Sequence, residues 1–181
     1  ITTLFSITIL NTLSSIRRLK MAEPEVKKYW NDKQVESMYD KNLLQLEIGS
    51  IAEYISKNDI VLDAGCGEAE TTMVYSTRCT KIVGADFSET RLELAKANLV
   101  ERQNVELRLV DFEGKIPFEY EYFDTIISQR FLINIKRPET QYKIISTFYN
   151  LLKPQGSLLL LEGFNQGTVN ENTALRNINL T

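Results

Sequence analysis

Apolar residues at Leu43, Leu44, Ile48, Ile51, Ala52 and Ile55 recur every three or four positions, which predicts a helix with one buried stripe within 35–56. The pattern then shortens. IVLD (60–63) is a compact apolar run closed by a carboxylate and a glycine loop, the signature of a buried strand. A short helix follows to about Ser76, and KIVGAD (81–86) is a second strand. Ser88 is placed to N-cap the next helix, with Arg91 where a capping box would carry Glu and an apolar stripe at Leu92, Leu94, Ala95 and Leu99. VELRLVD (105–111) alternates as a third strand and FDTIIS (123–128) reads as a fourth. Ile144, Ile145, Phe148, Leu151 and Leu152 mark a helix after Pro138; Lys153-Pro154-Gln155-Gly156 signals a turn, and SLLLLE (157–162) is a fifth strand.

Strands alternating with helices predict an α/β fold: a doubly wound, mostly parallel sheet with helices on both faces. Such sheets bind ligands at the carboxyl ends of their strands, near the switch in strand order. The five strands end in Asp63, Asp86, Asp111, Ser128-Gln129 and Glu162, so polar groups, mostly carboxylates, collect on that one rim.

Composition narrows the chemistry. With 181 residues, 43% hydrophobic and 25% charged, the chain is long and apolar enough for one sizeable core. It contains no histidine, which excludes imidazole bases, Ser-His-Asp and Cys-His nucleophiles and His-ligated zinc. Cys66 and Cys79 are too few for a disulfide framework or a thiolate metal site, so reduced thiols, a cytoplasmic location and no metal are expected. A net charge of -3 lacks the cationic excess of a generic nucleic-acid binder. Residues 1–20 are rich in Ser and Thr and too polar for a membrane span, with Arg17, Arg18 and Lys20 after the apolar run. They read as a non-native or disordered extension before Met21, the alternative being a peripheral membrane helix. Residues 21–56 then form a helical cover and 57–181 the ligand-binding domain.

The loop Asp63-Ala64-Gly65-Cys66-Gly67 lets the backbone approach a ligand closely. It lacks the third glycine of the dinucleotide fingerprint, which falls on Glu70, and Glu68 and Glu70 at the helix start would repel a diphosphate. Asp63 suits a cationic group instead, and Asp86, about 20 residues on, suits ribose hydroxyls. A nucleoside with a cationic end and no diphosphate describes S-adenosylmethionine (SAM).

From about Tyr29 to Glu162 the chain resembles the class I SAM-dependent methyltransferases, on VLDAGCGEA (61–69), VGADFSETRLELAKANL (83–99), LVDFEGKIPFEYEYFDTIIS (109–128) and LLKPQGSLLLLE (151–162). Ala69 replaces the last glycine of the family's first motif. The resemblance implies a Rossmann-like sheet and SAM as cofactor. Asp63 would hold the methionine ammonium, with Gly65 and Gly67 giving the backbone approach and Cys66 a small loop residue. Asp86 would take the ribose hydroxyls, Phe87 would pack on the adenine, Asp111 would accept from its amino group and Phe112 would offer its N–H. Ser128 and Gln129 would line the methionine. The segment 27–40 is similar to the family's N-terminal cover; Tyr29, Trp30 and Tyr39 either close over the sulfonium or simply pack as helix residues. The family's sheet continues beyond its fifth strand, so with 19 residues after Glu162 the last two strands are expected to be missing.

Methyl transfer from a sulfonium asks the protein chiefly for positioning and exclusion of water. Glu162 and the cover tyrosines, Tyr29 among them, are the candidate bases where an acceptor needs one. SQRFLINI (128–135) departs from the amino-methylation tetrapeptide, so a small-molecule acceptor is expected, with neither nucleic acid nor membrane as partner. Arg130 either pairs with an acidic substrate or serves as a structural ion-pair partner. Two other readings remain: a SAM-binding fragment of impaired activity, and an NAD(P)-dependent oxidoreductase, which would leave Asp63 and Asp111 unexplained.

Overall fold

The computed structural model describes residues 7–11, 23–35 and 40–162. Six strands form one sheet in the order β1-β6-β5-β2-β3-β4: β1 (Ile7–Asn11), β2 (Ile60–Ala64), β3 (Lys81–Asp86), β4 (Val105–Leu109), β5 (Phe123–Gln129) and β6 (Leu152–Glu162). Every pairing is parallel. The helices are α1 (Glu23–Trp30), α2 (Lys41–Ala52), α3 (Glu70–Tyr75), α4 (Glu89–Asn98) and α5 (Pro138–Leu151), with a 3-10 turn at Leu132–Asn134. None of the described helices is long and apolar enough to cross a membrane.

Alternation along each strand sorts its side chains between two cores. Leu62, Val83, Ile126, Leu158 and Leu160 face Ile144, Phe148 and Leu151 of α5. Their neighbours Val61, Ile82, Ile127, Leu159 and Leu161 pack with Leu44, Ile48 and Ile51 of α2 and Tyr75 of α3. Central strands covered on both sides therefore read as continuous apolar runs, as the sequence showed. Helices do lie on both faces.

Element boundaries moved where local chemistry intervened. The Asp40 carboxylate accepts from the N–H groups of Asn42 and Leu43 and starts α2 there, inside the longer helix expected over 35–56. Ser88 caps α4 by accepting from the Arg91 N–H at 3.2 Å. β6 begins directly at the end of α5, five residues before the strand expected at 157. The predicted turn survives inside it as a bulge, since Phe123 pairs with Leu152 whereas Thr125 pairs with Ser157, and Gln155 takes φ 68°. The stretch 1–20, marked by composition as an extension, contributes β1, which runs along β6 from Ile7 opposite Leu158 to Asn11 opposite Glu162. The 19 residues after Glu162, where the last two strands were expected to be missing, lie outside the described residues.

The strand order reverses at β2, which pairs with β3 on one side and β5 on the other, with Ala64 opposite both Ala85 and Ser128. A crevice must open beyond those strand ends.

Candidate cofactor and active site

That crevice is a cavity of about 440 Å³. The loop from β2 to α3 forms its floor. The N–H groups of Gly65 and Cys66 both donate to the Ala85 carbonyl at the end of β3, at 2.8 and 3.1 Å, tying the loop to the neighbouring strand. Gly65 has φ 78°, and a Cβ there would lie 2.8 Å from the Phe131 ring. Gly67 has φ 55° with open space around it, so its backbone is bare toward the cavity.

Asp86 closes one side. One carboxylate oxygen accepts from the Gly67 N–H at 3.0 Å and the other from the Ser88 N–H at 2.9 Å. Two backbone donors orient the carboxylate and leave further lone pairs for a ligand's hydroxyls. Burial raises its pKa, against those N–H groups and the Arg91 guanidinium. Asp63 is buried at the end of β2, with one oxygen accepting from the Thr72 hydroxyl at 2.6 Å. Burial pushes it up to about 6, the Thr72 bond opposing and the Asp86 charge adding. Cys66 is buried between these acids and its thiol is pushed upward, the reverse of an activated nucleophile.

Phe87, Asp111 and Phe112 line the far side. Asp111 is exposed and already engaged: the Lys27 ammonium from α1 donates to it at 2.6 Å. Burial acts upward on Asp111, but Lys27 and the Glu113 N–H outweigh it and hold the carboxyl below its ordinary value. Lys27 also stands 5.9 Å over the Phe87 ring. Val26, Lys27 and Trp30 bring α1 across the cavity as a cover, whereas Tyr29 packs edge-on to Trp30 and is absent from the lining. Tyr39 lies outside the described residues.

At the end of β5 the residues divide. Gln129 and Arg130 line the cavity, whereas Ser128 and Glu162 stand behind it. The buried Glu162 carboxylate accepts from the Ser128 hydroxyl at 2.7 Å and from the N–H groups of Phe131, Leu132 and Ile133 at 3.2, 2.9 and 3.1 Å. Burial pushes it up to about 7 against these donors. In this setting Glu162 fastens the turn that carries Phe131 against Gly65. Ala64 is wholly buried in the sheet.

Arg91, in the cavity wall, and Glu47, behind it, are among the residues that escaped sequence reading. Arg91, 1% exposed, donates from Nε to the Trp30 carbonyl and from Nη2 to the Asp32 carbonyl, both at 2.8 Å, and pairs with Glu68. It thereby joins α4, the cover and the glycine loop; its signal was a cation in a capping-box acid's place. Glu47 of α2, 4% exposed, accepts from the Gln129 amide at 2.8 Å and meets the Arg130 guanidinium at 3.1 Å. Burial raises its pKa against both partners. Its signal was an acid one turn from both Leu44 and Ile51, on the apolar stripe.

The cavity wall carries Asp63, Glu68, Glu70, Asp86, Asp111 and Glu113 against Lys27, Arg91, Arg130 and Lys136, an excess of two negative charges. Such a wall fits a cationic ligand and disfavours a diphosphate. Among the described residues no group of three or more potential ligands is placed to hold a metal ion.

Comparison with known proteins agrees with this geometry. Residues 62–160 match the family model described as a methyltransferase domain. The chain is similar to a demethylmenaquinone methyltransferase of Lactococcus lactis subsp. lactis, 33% identical over 107 residues, covering 56% of this chain and 41% of that protein. A demethylmenaquinone methyltransferase of Tropheryma whipplei is 26% identical over 147 residues, 76% of this chain and 59% of its own. Thus the chain spans about half the length of the curated relatives it matches. The fold is also that of a Haemonchus contortus phosphoethanolamine N-methyltransferase solved with phosphoethanolamine and S-adenosylhomocysteine: TM-score 0.67 at 15% identity, covering 81% of this chain and 33% of that one. The family match spans the glycine loop and four successive strand ends around the cavity, and the chain belongs to the class I SAM-dependent methyltransferase family.

Proposed function

We propose that this chain binds SAM in the crevice between β2 and β5 and directs its methyl group to a small-molecule acceptor by in-line displacement. The observation that carries the reading is the acid-dominated cavity in which two backbone N–H groups orient Asp86 beside an open Gly67 backbone. Asp86 takes the ribose hydroxyls, and Phe87 and the Phe112 N–H meet the adenine. Asp111 shares its carboxylate between the adenine amino group and Lys27. Asp63 attracts the ammonium end, with Gly65, Cys66 and Gln129 shaping the space around it.

When bound, SAM supplies a methyl group already activated on a sulfonium. The chain's residues hold the reacting ends in line and keep water out, which for well-aligned partners is worth several kcal/mol of barrier. Trp30 and Val26 of the cover supply the apolar lid. Glu162 is a positioning residue, since its carboxyl is spent on the turn at 131–133 and does not reach the cavity. An amine or thiolate acceptor needs no base from the protein. We assign the protein to the cytoplasm, its two cysteines being too few for a disulfide framework.

Calorimetry with SAM, S-adenosylhomocysteine and NADH tests the reading. Both adenosyl ligands should bind, and Asp86→Ala should weaken them roughly tenfold or more, the worth of a hydrogen bond to a charged group. Binding of NADH alone would replace the methyltransferase reading with the oxidoreductase one. Transfer of radiolabelled methyl into candidate small molecules separates an active enzyme from a binding fragment.

A further inference from the structure

Glu47 is a costly residue to keep. It is buried on the apolar stripe of α2, and one of its carboxylate oxygens has no hydrogen-bond partner. An acid retained only for stability would have both oxygens satisfied, and a buried ion pair is often no better than apolar packing. Its other oxygen serves two neighbours at once, the Gln129 amide and the Arg130 guanidinium. The Tyr75 hydroxyl donates to the carbonyl end of the same Gln129 at 2.9 Å, so the amide cannot turn over without losing both bonds.

Both partners of Glu47 line the cavity, and Glu47 does not. Arg130 is 9% exposed and sits at φ 55°, immediately after β5 and before the Phe131 that abuts Gly65. It thus brings a guanidinium, permanently charged, to the cavity wall at the end of β5, beside the turn that abuts the glycine loop. Lys27 and Arg91 meet carboxylates within the wall itself, Asp111 and Glu68. Arg130 meets a carboxylate, that of Glu47, from behind the wall.

We infer that Glu47 is a specificity-determining residue: by setting its charge against Arg130 it keeps this part of the cavity hospitable to a cationic sulfonium, favouring the charged donor SAM over its neutral product. The inference rests on the proposed SAM site. Charge at an atom lining a low-dielectric cavity acts on a bound cation over several ångströms, so Glu47 discriminates between two ligands that differ by one methyl and one charge without touching either.

The test measures dissociation constants of SAM and S-adenosylhomocysteine for the full chain and for Glu47→Gln, which keeps the shape and removes the charge. The expected result is roughly a threefold to tenfold fall in preference for SAM over S-adenosylhomocysteine, the product's affinity changing less. In Glu47→Gln with Arg130→Gln the preference should return to that of the parent chain. Equal weakening of both ligands in Glu47→Gln means a structural role and overturns the inference while leaving the SAM site standing. Should Glu47→Gln fail to fold, Arg130→Gln carries the test: its preference for SAM should hold or rise, and a fall overturns the inference. If the parent chain binds neither ligand, the proposed function fails and this inference with it.

Discussion

Asp63 and Glu162 are the same kind of residue in the same kind of place, each a buried carboxyl at the last turn of a parallel strand, yet the fold uses them in opposite ways. Glu162 meets a hydroxyl and three backbone N–H groups of the turn that follows β5, so its acceptor capacity is spent inside the protein. Asp63 receives one hydroxyl, from Thr72, and faces the cavity. A carboxylate at a strand end is therefore a ligand group or an anchor according to what the next loop offers it.

The largest expected effect falls on the anchor. Glu162→Ala leaves three N–H groups, two of them buried, without their acceptor and should cost about 3 kcal/mol of folding stability in urea denaturation. Loss of SAM affinity with stability unchanged would instead place Glu162 among the binding groups and erase the contrast. Gly65→Ala comes next. Its Cβ would meet Phe131 at 2.8 and 2.9 Å with φ at 78°, and the fold should lose about 2–3 kcal/mol. Gly67→Ala, with φ 55° and nothing nearby, should lose only about 1 kcal/mol of strain, so the difference between the two measures the loop's seat on that turn.

The ligand-facing carboxyl has a pH signature. With Asp63 raised to about 6, its charge disappears as pH falls from 7 to 5, and a cationic ligand loses its partner. SAM affinity should be roughly tenfold weaker at pH 5 than at pH 7 by calorimetry, if binding requires the charged form, and Asp63→Asn should flatten the profile. Stability runs the other way. A raised carboxyl favours the folded state below its ordinary pKa of 3.8 and loses that contribution as pH rises through about 6. The unliganded Asp63→Asn variant should therefore lack that part of the decline in stability between pH 4 and 7. The smallest effect belongs to Lys27→Ala, which removes an exposed ion pair with Asp111: stability should change by less than about 1 kcal/mol in denaturant melts. A larger loss would show the cover helix to be part of the fold's core.

The sheet and the glycine loop were legible because local signals and burial agree there: short apolar runs, each closed by a polar residue, in regular alternation with helices. The Ser88 cap and the helix from Pro138 followed from the same agreement. Boundaries were less legible. The start of α2 depends on a two-donor cap at Asp40, and the length of β6 depends on a bulge that hides a turn within a strand.

What the sequence determined by itself was the parallel α/β order, the rim of strand-end carboxyls and the absence of any imidazole. These follow from the spacing of residues along the chain, which folding cannot alter. Only the tertiary structure decided how those carboxyls divide their labour, because hydrogen-bond capacity is shared among groups far apart in sequence. Glu162 is absorbed by a turn some thirty residues earlier, Asp111 by Lys27 of the cover, and Arg130 is met by Glu47, 83 positions before it. No periodicity encodes such pairs. They arise where helices and strand ends from distant parts of the chain converge, and where such a charge is buried it requires a partner.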